Sequence, residues 1–402
     1  MRVLMVSDVY FPRVNGVSTS IETFRRTLAG LGVEVRLVVP RYGDEADEPG
    51  IVRVAGRPVP GDREDRLVGW WAMQRAVLAA AEDCDLIHIQ TPFVAHYAGL
   101  KAARALGRPV LATYHTLFEE YLQHYAPFLP AGWLKGQARA LSRRQCNGLD
   151  AVVVPSTAMQ QRLHSYGVSV PLHVLPTGIP LAQFGRGDGP AFRLRHGIAP
   201  DRSVALFVGR VAHEKNITFL LDALVHARRL RPDLLLLIAG EGPAMASLQA
   251  RVKAMGLSGA VTFIGYLDRR QALPDCYAAA DVFVFASRTE TQGLVLLEAM
   301  AAGLPVIALA EMGTLDILTP GRGALSPPAE PQAFGETLGN FLQQPTLWRR
   351  LADEAPMYAR EWSDTAMAGR LAGLYRELVG LKNASEETST AGVPGISLDA
   401  AG

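Results

Sequence analysis

The chain has 402 residues, enough for two ordinary domains, and its 49% hydrophobic and 20% charged residues describe a globular protein with filled cores. A formal net charge of +1 excludes the strong basic excess that tracking a nucleic-acid backbone requires. The three cysteines, Cys84, Cys146 and Cys276, are too far apart for a metal knuckle and read as reduced thiols of a cytosolic protein.

Residues 1–7 read as a buried first strand, because the apolar region of a signal peptide would be longer. No stretch approaches the roughly 20 apolar residues of a membrane span, so any meeting with a membrane is expected from its surface. Short apolar runs at residues 2–6, 35–39, 86–89, 109–113, 151–154 and 173–175 alternate with helical patterns. Runs with so few polar residues predict parallel strands covered by helices on both faces. Thr19-Ser20-Ile21-Glu22 has capping-box spacing and predicts a helix start after the first strand. Pro176, Gly178, Pro180, Gly185, Gly187, Gly189 and Pro190 then interrupt the alternation. It resumes with predicted strands at 204–208, 234–238, 261–263, 282–285 and 305–308. Ile217, Leu220, Leu221 and Leu224 fall on one buried helical face after Asn216, and Pro243 suits the first turn of the next helix. The expected fold class is α/β, two doubly wound Rossmann-like domains facing a deep cleft at their strand C-termini, where open parallel sheets bind ligands.

Two segments carry the strongest chemical signal. In Val208-Gly209-Arg210-Val211-Ala212-His213-Glu214-Lys215-Asn216 a glycine ends a strand and two cations five residues apart lead into a helix. A planar guanidinium fork and a compact ammonium together suit the charge of a diphosphate leaving group. The competing reading is a surface loop with unrelated charges. In the second segment, Glu290 precedes the turn at Gly293, and Glu298 lies eight residues on inside an apolar helix. A carboxylate among Leu297, Ala299 and Met300 needs hydrogen-bond donors, which sugar hydroxyls would supply; a helix-end salt bridge is the alternative. Gly293, Leu294 and Val295 would offer free backbone N–H groups to phosphate. Gly240 and Gly242 lack the third glycine of a dinucleotide fingerprint, which argues against an oxidoreductase.

The glycine-Arg-x4-Lys loop followed about 80 residues later by Glu-x7-Glu closely resembles the retaining glycosyltransferases of family 4, which have the GT-B fold. The match runs to about Leu381. The resemblance implies that Arg210 and Lys215 hold the diphosphate of a nucleotide-sugar donor. Glu298 would then bind the ribose and Glu290 the hydroxyls of the transferred sugar. Glu241, in Ala239-Gly240-Glu241-Gly242-Pro243, would line the nucleotide site, and Gly265-Tyr266-Leu267 would read the base through main-chain groups. Gly16, after Asp8-Val9-Tyr10-Phe11-Pro12-Arg13-Val14-Asn15, matches the glycine that meets donor phosphates; a plain loop glycine is the alternative. His115, in Thr113-Tyr114-His115-Thr116, matches a catalytically important histidine, although a lone histidine is more often structural. The family implies same-face attack, with the leaving phosphate accepting the proton. No covalent nucleophile, metal or cofactor is therefore expected. The expected domains are residues 1–180 for the acceptor and 181–360 for the donor. A helix over 361–382 would cross back, and a disordered tail would fill 383–402.

For the acceptor, Phe118, Tyr121, Tyr125 and Phe128 recur near helical spacing, and Lys135, Arg139 and Arg143 recur every four residues. An aromatic ridge beside a basic stripe suits an anionic lipid surface; core aromatics and a solvated charged face are the plain alternative. The Asp8–Val17 loop, the His115 segment and Glu290-Thr291-Gln292-Gly293 are similar to those of bacterial diacylglycerol glucosyltransferases, with Gln292 where many family members carry Phe. The resemblance implies a UDP-glucose donor and a diacylglycerol acceptor; the cysteines and the basic stripe suggest a cytoplasmic enzyme, peripheral on the inner membrane face, and the net charge suggests no nucleic-acid partner. Mannosyl or other hexosyl transfer to a lipid or soluble glycan stays open. So do a sugar-nucleotide hydrolase or epimerase and a non-catalytic nucleotide-sugar binder.

Overall fold

The computed structural model describes residues 1–59, 62–115, 131–185, 187–269 and 271–390. The chain forms two compact units. One contains Met1–Val154, Arg162–Leu175 and the segment from Ala368 on; the other contains Pro155–Gln161 and Pro176–Met367. The last helix, Asp364–Thr390, continues past Asn383, where the sequence pattern predicts a disordered tail to begin.

In the first unit the described strands are β1 (Arg2–Val6), β2 (Glu34–Arg41), β3 (Ile51–Val59), β4 (Asp62–Val68), β5 (Leu86–Ile89), β6 (Val110–Thr113), β7 (Ala151–Val154) and β8 (Leu172–Val174). They lie in the order β4-β3-β2-β1-β5-β6-β7-β8, parallel except for the β3–β4 pair. β1 sits centrally, with Val3 opposite Val35 on one side and Leu86 on the other. Both its faces are covered, which is why Val3, Leu4, Met5 and Val6 are all inaccessible to solvent. The sequence pattern misses β3 and β4. β4 reads Asp-Arg-Glu-Asp-Arg-Leu-Val, a charged composition that a sheet-edge strand tolerates and a search for apolar runs passes over. The first helix runs Gly16–Ala29 and is capped by Asn15, whose side chain accepts from Ser18 N while Ser18 Oγ receives Asn15 N. Thr19 is therefore already helical, and the cap predicted there lies four residues earlier.

His88 on β5 is buried in this sheet, with Nδ1 2.6 Å from Tyr375 Oη and Nε2 2.7 Å from Thr113 Oγ1. Desolvation pushes its imidazolium down to about 3, with a smaller push from His115. The unfolded chain, with an ordinary histidine near 6.5, binds the extra proton as pH falls. Stability is full above pH 6.5 and is lost as pH drops toward 3, at up to about 1.4 kcal/mol per pH unit for this one group. Thermal melts from pH 7.5 to 4 should show a falling midpoint below 6.5, with a shallower fall in His88→Gln. An unchanged slope in that variant would remove His88 as the cause. The three cysteines are buried and free, and burial pushes Cys84 up to about 11 and Cys146 and Cys276 up to about 12.

The second unit's described strands are β9 (Val204–Val208), β10 (Leu235–Ala239), β11 (Val261–Gly265), β12 (Val282–Phe285), β13 (Val306–Ala308) and β14 (Ala324–Leu325), in the order β11-β10-β9-β12-β13-β14. All of these pairs are parallel. The two-residue β14 is too short to show any period, so the sequence misses it. Ile217, Leu220, Leu221 and Leu224 are buried as the periodicity of helix Ile217–Leu230 predicts. Pro243 lies in the turn ahead of helix Met245–Ala254 rather than inside its first turn.

Candidate functional site

Strand order explains where the second unit gathers polar side chains. β9 and β12 are neighbours, yet the chain leaves β9 for β10 and β11 on one side and leaves β12 for β13 and β14 on the other. The loops after them therefore diverge and leave a crevice at the strand C-termini, the topological switch point of an open parallel sheet. Lys215 follows β9 on the short turn His213–Lys215, and Glu290 follows β12. Lys215 Nζ lies 2.5 Å from Glu290 Oε1, with side chains 22% and 16% exposed. Asn216 fixes this geometry: it takes a left-handed conformation with φ of 53° and donates Nδ2 to Ala286 O at 3.1 Å. Arg210 is placed differently from Lys215; it is largely exposed and lies 3.4 Å from Glu214 Oε1.

Glu298 sits on helix Leu294–Ala301, with its side chain 3% exposed. Its carboxylate accepts from Arg269 Nη2, in an ion pair, and from Tyr277 Oη at 3.1 Å. Glu298 raises the Arg269 pKa, and burial raises that of Tyr277 well above the ordinary phenol. Two protein groups thus already donate to this carboxylate, one of them through a salt bridge, the alternative that the sequence left open. A carboxylate has about four acceptor positions, so two such bonds do not exhaust it. The same helix begins at Gly293 with no side-chain cap, which leaves the first-turn amides of Leu294 and Val295 without that partner.

The loops after β9, β10 and β11 are knit together by their backbones. Gly209 N donates to Ala239 O at 3.0 Å, Val211 N to Glu241 O at 2.9 Å, and Gly240 N to Gly265 O at 2.8 Å. Glu241 Oε1 accepts from Tyr266 N at 3.4 Å. Tyr266 is exposed, while Leu267 packs on the core. Glu241, Gly242, Met245, Gln249, Phe263 and Gly265 line a depression of about 480 Å³ beside this turn.

In the first unit, the order reverses between β1 and β5, and again the polar groups collect at the C-terminal ends. Asp8 after β1 accepts from Thr91 Oγ1 at 2.7 Å and from Ala95 N at 3.0 Å, and burial raises its pKa. Gly16 opens its helix with nothing within 4 Å of where a Cβ would stand. Half-buried His115, after β6, has Nε2 3.0 Å from Gln90 Oε1, and desolvation pushes its pKa down to about 4. The neutral ring donates from Nε2 to the amide oxygen, which leaves Nδ1 as an acceptor. Phe118, Tyr121, Tyr125 and Phe128 lie outside the described residues. Lys135, Arg139 and Arg143 do share helix Ala131–Cys146, with Lys135 half-buried and the two arginines exposed. The Arg139 guanidinium lies over the Tyr166 ring at 5.6 Å, and Arg143 Cδ runs against Gly167.

Sequence reasoning missed Arg269, Tyr277 and Gln90. Gln90 stands directly after an apolar strand, a position that could have flagged it. Arg269 and Tyr277 meet Glu298 only through folding, from 29 and 21 residues away. Among the described residues no group of three or more His, Cys, Asp or Glu side chains is placed to hold a metal ion, and no helix is long and apolar enough to cross a membrane.

Comparison with known proteins adds a second line of observation. Residues 14–183 match the profile described as Glycosyltransferase Family 4, and residues 189–359 match Glycosyl transferases group 1. The chain is 33% identical to the alpha-monoglucosyldiacylglycerol synthase of Streptococcus pneumoniae over 77% of its own length and 71% of that protein's. It is 32% identical to a GDP-mannose-dependent alpha-mannosyltransferase of Mycobacterium tuberculosis, over 82% and 85% of the two lengths. In fold it is similar to Anabaena HepE in complex with UDP, at a TM-score of 0.74 and 18% identity, covering 94% of this chain and 100% of that one. A sucrose-phosphate synthase from Thermosynechococcus elongatus gives a TM-score of 0.74 at 22% identity, covering 94% and 99%.

Proposed function

The chain belongs to glycosyltransferase family 4, a retaining hexosyltransferase of GT-B fold, and from that premise we propose that it moves glucose from UDP-glucose onto diacylglycerol or a closely similar lipid. The observation that carries the donor half is the Lys215–Glu290 pair at the switch point of the second unit. On this reading Lys215 and Arg210 take the donor diphosphate, which releases Glu290 to accept from hydroxyls of the sugar. Glu298 keeps Arg269 and Tyr277 and uses its remaining lone pairs for the ribose. Glu241, Gly265, Tyr266 and Leu267 form the turn that meets the base. Gly293, Leu294 and Val295 offer amides to phosphate, and the helix start at Gly16 has by itself the same capacity for an anion.

The chemistry needs little from the protein beyond charge and position. Departure of the diphosphate builds negative charge that the Lys215 ammonium and Arg210 guanidinium offset. The acceptor hydroxyl attacks from the same face and gives its proton to the departing phosphate oxygen, so configuration is retained. His115 is neutral at pH 7, so Nδ1 can accept a hydrogen bond from a hydroxyl and the ring adds no positive charge. No metal or cofactor is assigned a part, so transfer should persist in excess EDTA.

The lipid acceptor is supported by the diacylglycerol synthase relatives and by a surface that mixes basic and aromatic groups. Trp133 is 56% exposed on the helix that carries Lys135, Arg139 and Arg143. The reading makes the chain a cytoplasmic enzyme, peripheral on anionic lipid. Because each cation near such a surface contributes about 1 kcal/mol, the triple alanine variant at 135, 139 and 143 should float with anionic vesicles at least about tenfold more weakly. Equal flotation would remove the stripe from the account. The deciding assay gives the protein radiolabelled UDP-glucose or GDP-mannose, with and without diacylglycerol vesicles. Label in an α-linked glucolipid supports the proposal. Mannolipid from GDP-mannose instead would favour the second reading, which rests on the 32% identical mannosyltransferase. Release of free sugar regardless of acceptor would overturn transfer in favour of hydrolysis.

A further inference from the structure

Gln292 lies between Glu290 and Gly293 in the loop after β12, yet it faces no open crevice; it is 6% exposed. Its side chain pairs with both polar groups of one backbone residue. Oε1 accepts from Thr177 N at 2.9 Å, and Nε2 donates to Thr177 O at 2.7 Å. A carboxamide does this at any working pH, because it carries an acceptor and a donor side by side, whereas a carboxyl does so only while protonated. Gln292 thus imitates one residue of a neighbouring strand.

Thr177 stands where the chain first enters the main body of the second unit, at Pro176, and the chain leaves that unit after Met367. These two passages are themselves paired. Ile179 N donates to Trp362 O at 3.0 Å, and Asp364 N donates to Ile179 O at 3.0 Å. The backbones touch so closely that a Cβ on Gly178 would fall 2.5 Å from Asp364 Cα. On its other side the same loop is fixed by Gly313 N, which donates to Glu290 O at 2.9 Å. A continuous chain of contacts therefore runs from Lys215 through Glu290 and Gln292 to Thr177 and on to the paired passages.

We infer that Gln292 is a positioning residue that couples occupancy of the Glu290 loop to the paired passages at Thr177–Ile179 and Trp362–Asp364. This rests on the donor reading above. A donor that draws Lys215 off Glu290 changes what holds the loop, and Gln292 transmits that change because both its hydrogen bonds end on a single backbone residue. A phenylalanine in its place would pack there but could hold neither the N–H nor the C=O.

Hydrogen exchange of wild type, Gln292→Met and Gln292→Glu, each with and without UDP, tests this. Met keeps length and bulk without either bond; Glu, compared at a pH high enough to ionise it, keeps the acceptor for Thr177 N and loses the donor. UDP affinity is measured separately by calorimetry. Saturating UDP should slow exchange of the Ile179 and Asp364 amides at least threefold in the wild type. Gln292→Met should bind UDP within about fivefold of wild type and lose that response, with Gln292→Glu intermediate. If Gln292→Met does not fold, a full wild-type response in Gln292→Glu overturns the coupling. So does a full response in Gln292→Met, or wild-type binding of UDP with no response at all. Failure of the wild type to bind either UDP or GDP would sink the donor reading, and this coupling with it.

Discussion

Lys215→Ala should reduce kcat/KM for sugar transfer by about a thousandfold, roughly 4 kcal/mol of transition-state stabilisation, the scale of removing one preorganised charge-stabilising donor. If Lys215 takes the diphosphate as proposed, the loss should fall mainly on kcat, because that charge grows as the diphosphate leaves. Two further effects follow from the geometry. Glu290 loses the ammonium 2.5 Å from its Oε1, so the variant also leaves a largely buried carboxylate without its ionic partner. Lys215→Arg should recover little, since a planar fork does not fit where a single short ammonium contact is made. Initial-rate kinetics over a range of UDP-glucose concentrations, with circular dichroism to show an unchanged fold, check the result. Wild-type kcat in a folded Lys215→Ala protein would take the diphosphate role away from this residue.

The second large effect concerns stability and separates two glycines that look alike in the sequence. Gly240 has φ of 135°, and a Cβ there would lie 2.0 Å from the carbonyl oxygen of Gly209. That atom is backbone, held where Gly209 N donates to Ala239 O, so it cannot swing aside. Gly240→Ala therefore combines a disfavoured backbone conformation with a hard contact, and it should cost more than about 4 kcal/mol or prevent the second unit from folding. Gly16→Ala is the contrasting case. It lies at the first position of a helix with open space around it, so stability should be unchanged or slightly raised. If Gly16 admits a phosphate to the helix amides, the same methyl should still lower kcat/KM about tenfold or more. Thermal melts and kinetics on both variants decide the matter. A stable Gly240→Ala would mean the three loops are not locked as described, and a fully active Gly16→Ala would remove phosphate from that helix start.

Much of the fold is legible in the order of residues alone. β1, β5, β7, β9 and β12 match their predicted limits residue for residue, because a strand buried on both faces is a near-continuous apolar run. β3, β4 and β14 escape such a reading because a strand at or near a sheet edge can keep charged residues, and a two-residue strand has no pattern. The first helix cap lies four residues from its predicted place because Asn15 and Ser18 cap it as well as a Thr–Glu pair would.

What the sequence by itself determined was the alternation of strand and helix, the selection of Lys215, Glu290 and Glu298 as candidate site residues, with Glu298 needing donors, and membership of glycosyltransferase family 4. What only the tertiary structure decided was which partners they have. Lys215 and Glu290 are 75 residues apart and meet because β9 and β12 are neighbours across the switch point. Glu298 finds Arg269 and Tyr277, and Gln292 finds Thr177 from 115 residues away. Burial of apolar surface leaves a local periodic record that can be read one segment at a time. Hydrogen bonds and ion pairs between distant loops leave none, because strand order brings those loops together, and no single segment encodes strand order.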